Sequence, residues 1–184
     1  MIADGGEYQI AHLDLGNNNL GSAGLSHLLK GILRNTNLVS LDLGSNDLMT
    51  EASSTLFKSL KSHPSIAILN LANHDRLHRN RIGVQACHDL RDLLKCNRIL
   101  SHLNIADCRI GNDGLTEIAP ALSRHCTLAI LNLENNDLEG TPAANTLNNY
   151  LNCNQNILDL KLAGNKIGDT AMNKLVDFIR KGMS

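Results

Sequence analysis

Leu131-Asn-Leu-Glu-Asn-Asn136-Asp-Leu138 is one of six copies of a single pattern in this chain. Four more are continuous: Leu13-Asp-Leu-Gly-Asn-Asn18-Asn-Leu20, Leu41-Asp-Leu-Gly-Ser-Asn46-Asp-Leu48, Leu103-Asn-Ile-Ala-Asp-Cys108-Arg-Ile110 and Leu160-Lys-Leu-Ala-Gly-Asn165-Lys-Ile167. The remaining copy is split: Leu69-Asn-Leu71 is completed by Asn80-Arg-Ile82. The opening leucines stand 28, 28, 34, 28 and 29 residues apart. The long third spacing reduces to 28 once a six-residue insertion is subtracted. A fixed period of this length is the mark of a repeat architecture.

Each copy has a physical reading. Leu13 and Leu15 are two residues apart, so they share one face of a strand. Asn18 follows where the strand must turn, and its amide can both donate to and accept from backbone groups that the turn leaves unpaired. Stacked repeats would align these amides as a ladder, with Cys108 in the fourth slot. The second half of each unit changes to helical spacing: Leu25, Leu28 and Ile32; Leu56 and Leu60; Cys87, Leu90 and Leu94; Leu115, Ile118 and Leu122; Leu147 and Leu151; Met172, Leu175 and Ile179. A return residue precedes each next strand: Leu38, Ile66, Leu100, Leu128 and Ile157. Pro64 falls between helix and return, and Pro142 in a first helical turn. Pro120 falls inside its helix, so a kink or a late helix start is expected there.

The pattern L-x-L-x-x-N/C-x-L at a 28–29 residue period resembles the leucine-rich repeats of the ribonuclease-inhibitor type, over about residues 10–181. The resemblance implies an α/β fold, a curved solenoid with about six parallel strands on the concave side and helices on the convex side. Residues 1–184 then form one leucine-rich-repeat domain, with repeats at about 10–37, 38–65, 66–99, 100–127, 128–156 and 157–181. No unit buries its leucines alone, so removing one such as Leu103 is expected to cost roughly 2–5 kcal/mol.

Composition narrows the function. Of the 184 residues, 42% are hydrophobic and only 2% aromatic, so the core is aliphatic. Lys+Arg 17 against Asp+Glu 18 gives a net charge of -1, which argues against a nucleic-acid partner bound through clustered positive charge. No apolar run reaches membrane-span length, and no basic region followed by an apolar stretch opens the chain as a signal peptide does. Five cysteines at irregular spacing (Cys87, Cys96, Cys108, Cys126, Cys153), with no Asn-x-Ser/Thr acceptor, favour a reducing compartment, the cytoplasm. All five are expected to be reduced. His74, His78, Cys87, His88 and Cys96 lie within one unit but lack metal-ligand spacing, and no nucleotide-binding or nucleophile motif occurs. No metal, no cofactor and no enzymatic activity are therefore expected.

Two surfaces remain for binding. The strand positions facing away from the leucines are small and polar and include Asp14, Asp42, Asn70, Asn104 and Asn132, with Ile68 and Ile130 as apolar spots. The insertion, Asn73-His-Asp-Arg-Leu-His-Arg-Asn-Arg81, carries Arg76, His78, Arg79 and Arg81. It is expected to bulge at the rim between the third strand and helix, near Asp14 and Asp42. Deleting Asn73–His78 is expected to leave the fold intact. The resemblance implies a non-enzymatic protein-interaction scaffold with another protein as partner. One alternative is a GTPase-activating protein resembling the Ran activators, acting through Arg76, Arg79 or Arg81. Another is a structural segment of a larger sensor, ciliary or cytoskeletal protein. The chain is expected to be a monomer, with end-to-end self-association through exposed end leucines as the other arrangement.

Overall fold

A computed structural model describes residues 10–74, 77–173 and 176. The repeat is realised as six parallel strands in sequence order: β1 (His12–Asp14), β2 (Ser40–Asp42), β3 (Ile68–Asn70), β4 (His102–Asn104), β5 (Ile130–Asn132) and β6 (Asp159–Lys161). Five helices return the chain: α1 (Gly21–Ile32), α2 (Thr50–Leu60), α3 (Gly83–Cys96), α4 (Gly111–Leu122) and α5 (Gly140–Cys153). A further helical stretch begins at residues 169–173. Register is strict: Leu13, Leu41, Leu69, Leu103, Leu131 and Leu160 are partners in turn.

One aliphatic core lies between sheet and helices. The strand leucines of the four inner repeats are buried; Leu13, Leu15, Leu160 and Leu162 at the two ends are half-buried against the same core. The helical stripes pack as their spacing predicts in α1 to α4, and Leu147 does so in α5. Met172 departs from the expected stripe: it is 43% exposed, and its neighbour Ala171 takes the buried position. Leu175 and Ile179, and the side chain of Leu151, lie outside the described residues. The late helix start expected at Pro120 does not occur. Helix α4 runs from Gly111 through Pro120 to Leu122. In the last turn, the proline forfeits only its own bond to the Thr116 carbonyl.

The turns explain why the chain is so rich in asparagine. Asn46 accepts from the backbone N–H of Asn18 and Leu20, and donates to the carbonyls of Leu15 and Gly44. Asn136 and Asn80 repeat this scheme, and Asn165 follows it at the sixth turn. The residues on either side of the ladder position adopt the left-handed conformation: Asn17 and Asn19, Ser45 and Asp47, Asp107 and Arg109, Asn135 and Asp137. Asn and Asp tolerate that region best among residues with a side chain.

A second ladder lies at the opposite end of each unit, where helix returns to strand. Its members alternate: Asn35, His63, Asn97, His125, Asn154. Asn97 Oδ1 accepts from Ile99 and Leu100 N–H, and Asn154 Oδ1 from Asn156 and Ile157 N–H. His125 Nδ1 takes the same two bonds, from Thr127 and Leu128. An imidazole can do this only when Nδ1 carries no proton. Burial, and secondarily the charge of Arg98, hold His125 below its ordinary value of 6.5, against a smaller opposing effect of the Asn97 backbone. The unfolded chain therefore binds a proton that the fold refuses. Stability should fall as the pH drops below about 6.5, by at most ~1.4 kcal/mol per pH unit from this residue. His125→Asn keeps both acceptor bonds and removes the proton site. Chemical denaturation between neutral and mildly acid pH should therefore show a shallower decline in the variant; parallel declines would sever the link to His125.

Candidate functional site

The concave face is built by the outward positions of the strands. Two rows cross it in register. One runs His12, Ser40, Ile68, His102, Ile130, Asp159; the other runs Asp14, Asp42, Asn70, Asn104, Asn132, Lys161. Over β2 to β6 they line a shallow trough of about 290 Å³ that includes Ser40, Ile68, His102, Ile130 and Lys161.

The second row serves the fold before it serves any partner. Asp14, Asp42, Asn70, Asn104 and Asn132 each accept, through Oδ1, the backbone N–H two residues on, at 2.8–3.2 Å. These bonds close each strand into its turn. They explain why only Asp and Asn fill the row until Lys161, where the sixth strand ends it. The amide of Asn70 also donates to Asp42 Oδ2 at 2.6 Å, and that of Asn132 to Glu134. Among the described residues, no cation lies within ion-pair distance of Asp14 or Asp42, whereas Lys161 stands 3.8 Å from Asp159. Gly44 leaves no room for a side chain beside Asp42, because a Cβ there would lie 2.6 Å from the Ala72 carbonyl oxygen and 3.1 Å from His74 Nε2.

The insertion is not a free loop at its base. His74 N–H donates to Ser45 Oγ, and Asp47 N–H donates to the His78 carbonyl, so the loop leans on the second repeat. On the other side Arg79 pairs with Asp107 of the fourth repeat at 3.1 Å, and Asn73 donates to the Asp107 carbonyl at 2.6 Å. Arg79 is thus committed to holding the loop. Arg81 is exposed, His78 is half-buried, and Arg76 lies outside the described residues. The sequence sets these arginines side by side; the structure separates Arg79, which anchors, from Arg81, which faces solvent. Among the insertion's described residues, His74 lies beside the acidic end of the trough: a Cβ on Gly44 would meet both its Nε2, at 3.1 Å, and Asp42 Oδ1, at 3.2 Å. The signal for it is the pair of small residues, Gly44 and Ser45, that make room beneath it.

On the convex side α2, α3 and α4 are stitched by polar pairs. Ser54 and Lys58 engage Asp89, and Arg91 and His88 engage Glu117. Among the described residues, no group of three or more His, Cys, Asp or Glu side chains is placed to hold a metal ion, and no helix is long and apolar enough to cross a membrane. All five cysteines are free thiols: Cys96, Cys126 and Cys153 exposed, Cys87 and Cys108 buried. Burial, with Glu117 adding to it, pushes Cys87 up to about 12, and burial likewise raises Cys108. A thiol reagent at neutral pH should therefore titrate three groups in native protein and five after unfolding without reductant. A total of three or fewer in the unfolded protein would contradict the reduced state.

A family model described as "Leucine Rich repeat" matches residues 10–29, 34–51, 96–119 and 153–176. NACHT, LRR and PYD domains-containing protein 12 of Mus musculus is 32% identical over 106 residues, which is 57% of this chain and 10% of that protein. NACHT, LRR and PYD domains-containing protein 3 of Bos taurus is 30% identical over 93 residues, 50% of this chain and 9% of that protein. The chain thus spans about a tenth of the length of the curated relatives it matches. Among solved structures, leiomodin-1 actin-binding site 2 superposes with a TM-score of 0.67 at 18% identity, over 86% of this chain and 87% of that one. The tropomodulin C-terminal domain of Caenorhabditis elegans superposes with a TM-score of 0.67 at 13% identity, over 87% and 92%. At these identities the two structures share the fold with this chain. With six register-matched strands, an asparagine ladder and these likenesses together, the chain is a leucine-rich-repeat protein.

Proposed function

We propose that this chain is a non-enzymatic, cytoplasmic protein-interaction scaffold of the ribonuclease-inhibitor type of repeat, and that its partner seats in the concave trough. The observation that carries the reading is the trough's composition. Half-buried Ile68 and Ile130 lie in one row, beside the carboxamides of Asn70, Asn104 and Asn132 in the next. An apolar centre flanked by neutral hydrogen-bonding groups can be covered without desolvating charge, which is the economy that protein interfaces show at their cores. The rim of the insertion is the second contact, through exposed Arg81. A GTPase-activating role would need a free arginine at that rim, and the Arg79–Asp107 pair withdraws one of the three from it.

The test compares three immobilised forms: the parent chain, the Ile68→Lys/Ile130→Lys variant and Arg81→Ala. Proteins captured from cytosolic extract by the parent should be lost with the trough variant. They should be retained, at reduced yield, by Arg81→Ala. If every captured protein survives the trough variant, the concave face is not the binding face.

A further inference from the structure

The geometry of the trough points to one kind of occupant, and we propose that it is an amphipathic helix laid across the strands with its basic end over β1 and β2. The inference rests on the concave-face reading above and adds the partner's shape and charge. Ile68 and Ile130 are equivalent positions on β3 and β5, with His102 of β4 between them. Neighbouring strands are about 4.8 Å apart, so the two isoleucines are roughly 9.6 Å apart along the sheet. A helix advances ~1.5 Å per residue, so side chains seven positions apart lie on one face at ~10.5 Å. A slight tilt brings that to the roughly 9.6 Å between the isoleucines, and the residue at the third or fourth position between them falls over His102. An extended segment cannot match it. Its side chains recur on one face at roughly 6.8 and 13.6 Å, on either side of the distance required.

Charge fixes the direction. Asp42 lies on β2, one strand beyond Ile68, and Asp14 on β1, two strands beyond. Neither has an ion-pair partner among the described residues, and both carboxylates are already fixed by their bonds to Gly44 and Gly16. The far end of the same row carries Lys161 on β6, whose charge Asp159 pairs at 3.8 Å, so the unpaired charge of the trough is at the Asp14 and Asp42 end. A helix whose apolar pair covers Ile68 and Ile130 brings the positions four and seven residues before its first apolar side chain over β2 and β1. Lysine or arginine there would neutralise Asp42 and Asp14. The middle of the row, Asn70, Asn104 and Asn132, faces uncharged polar side chains of the partner.

The probe is a capped, alanine- and glutamine-based helical peptide. It has two leucines seven positions apart, and lysines four and seven positions ahead of the first leucine. Binding is followed by fluorescence anisotropy of the labelled peptide at low ionic strength, where charge contacts are least screened. The lysine peptide should bind the parent chain. Glutamates in place of the lysines, or leucines five positions apart, should weaken binding by about tenfold or more. Asp14→Asn/Asp42→Asn should weaken the lysine peptide similarly; an asparagine Oδ1 still accepts each turn N–H, so the thermal midpoint should fall only by the loss of the Asn70 bond to Asp42 Oδ2. Lys161→Glu provides a second variant remote from those turns and should strengthen it. If the lysine peptide fails to bind, or the lysine and glutamate peptides bind alike, or the leucine spacing does not matter, the helix assignment is overturned. The underlying reading fails separately. If all peptides bind and Ile68→Lys/Ile130→Lys leaves their affinity unchanged, the concave face itself is not the site.

Discussion

Replacing Asn80 by alanine should cost roughly 4 kcal/mol or more, while the same change at Asn18 should cost about 1 kcal/mol or less. Both residues occupy the ladder position of the repeat. Asn80 is buried, and its amide makes four bonds to the backbone of two repeats. Oδ1 accepts from Asn46 N–H at 3.1 Å and Leu48 N–H at 2.9 Å, and Nδ2 donates to the Leu43 and Leu71 carbonyls at 2.8 and 2.9 Å. Truncation orphans all four in a place that water does not reach, and each buried orphan costs ~1–3 kcal/mol, less than additively. Asn18 is exposed and donates only to Leu15 and Gly16 carbonyls, which water can satisfy in its absence. Against a total stability of roughly 5–15 kcal/mol, the first change alone threatens the fold. Urea denaturation followed by circular dichroism gives both values. A cost for Asn80→Ala below about 2 kcal/mol, or one equal to that of Asn18→Ala, would mean that the ladder is not a major source of stability.

The ladder was legible because its residue recurs at a constant distance from two leucines, and periodicity is what a sequence shows best. The strands, their parallel order and the core follow from the same leucines. The second ladder was not legible, because His63 and His125 alternate with Asn35, Asn97 and Asn154. The chemistry that unites them is an acceptor two to three residues before a backbone N–H, and two residue types supply it equally. The concave row was read as a binding surface because Asp and Asn look available in a sequence. In the structure each of the five is first a turn-closing acceptor, and Asp42 and Asn70 bind one another. What remains for a partner is narrower: the isoleucines, two unneutralised carboxylates and the amide edges. The ion pair of Arg79 is hidden in the sequence for the same kind of reason. Its partner, Asp107, lies 28 residues away and in the next repeat, at a distance that only the stacked fold makes short.

The insertion and the ladder's cysteine prove to be one feature, and this gives the second large effect. In a regular turn the next repeat's asparagine oxygen accepts two N–H groups, as Asn46 does for Asn18 and Leu20. At the fourth turn that residue is Cys108. Its thiol lies 3.3 and 3.4 Å from the Leu71 and Ala106 carbonyls and donates its single hydrogen to one of them, covering half of the amide's donor side. Sulfur is a poor acceptor, and burial keeps the thiol protonated. The acceptor side is supplied from elsewhere. Asn80 N–H donates to Asn73 Oδ1 at 2.7 Å, and Ile82 N–H to the Cys108 carbonyl at 3.0 Å. Asn73 is the first residue of the insertion, and its amide also donates to the Asn80 and Asp107 carbonyls. The expectation that residues 73–78 can be deleted without harm therefore needs correction at its first member. Asn73→Ala should destabilise by roughly 1–3 kcal/mol, the cost of leaving Asn80 N–H and its neighbours unpaired. In a Cys108→Asn background the new amide oxygen can accept from Asn80 and Ile82, so the same truncation should cost less by at least about 1 kcal/mol. A double-mutant cycle by urea denaturation measures that difference directly. Additive costs would show that the insertion and Cys108 are independent. Coupled costs would show that the extra residues took over the acceptor role of a missing asparagine, which fixes the loop base that presents Arg81 and His74 at the rim.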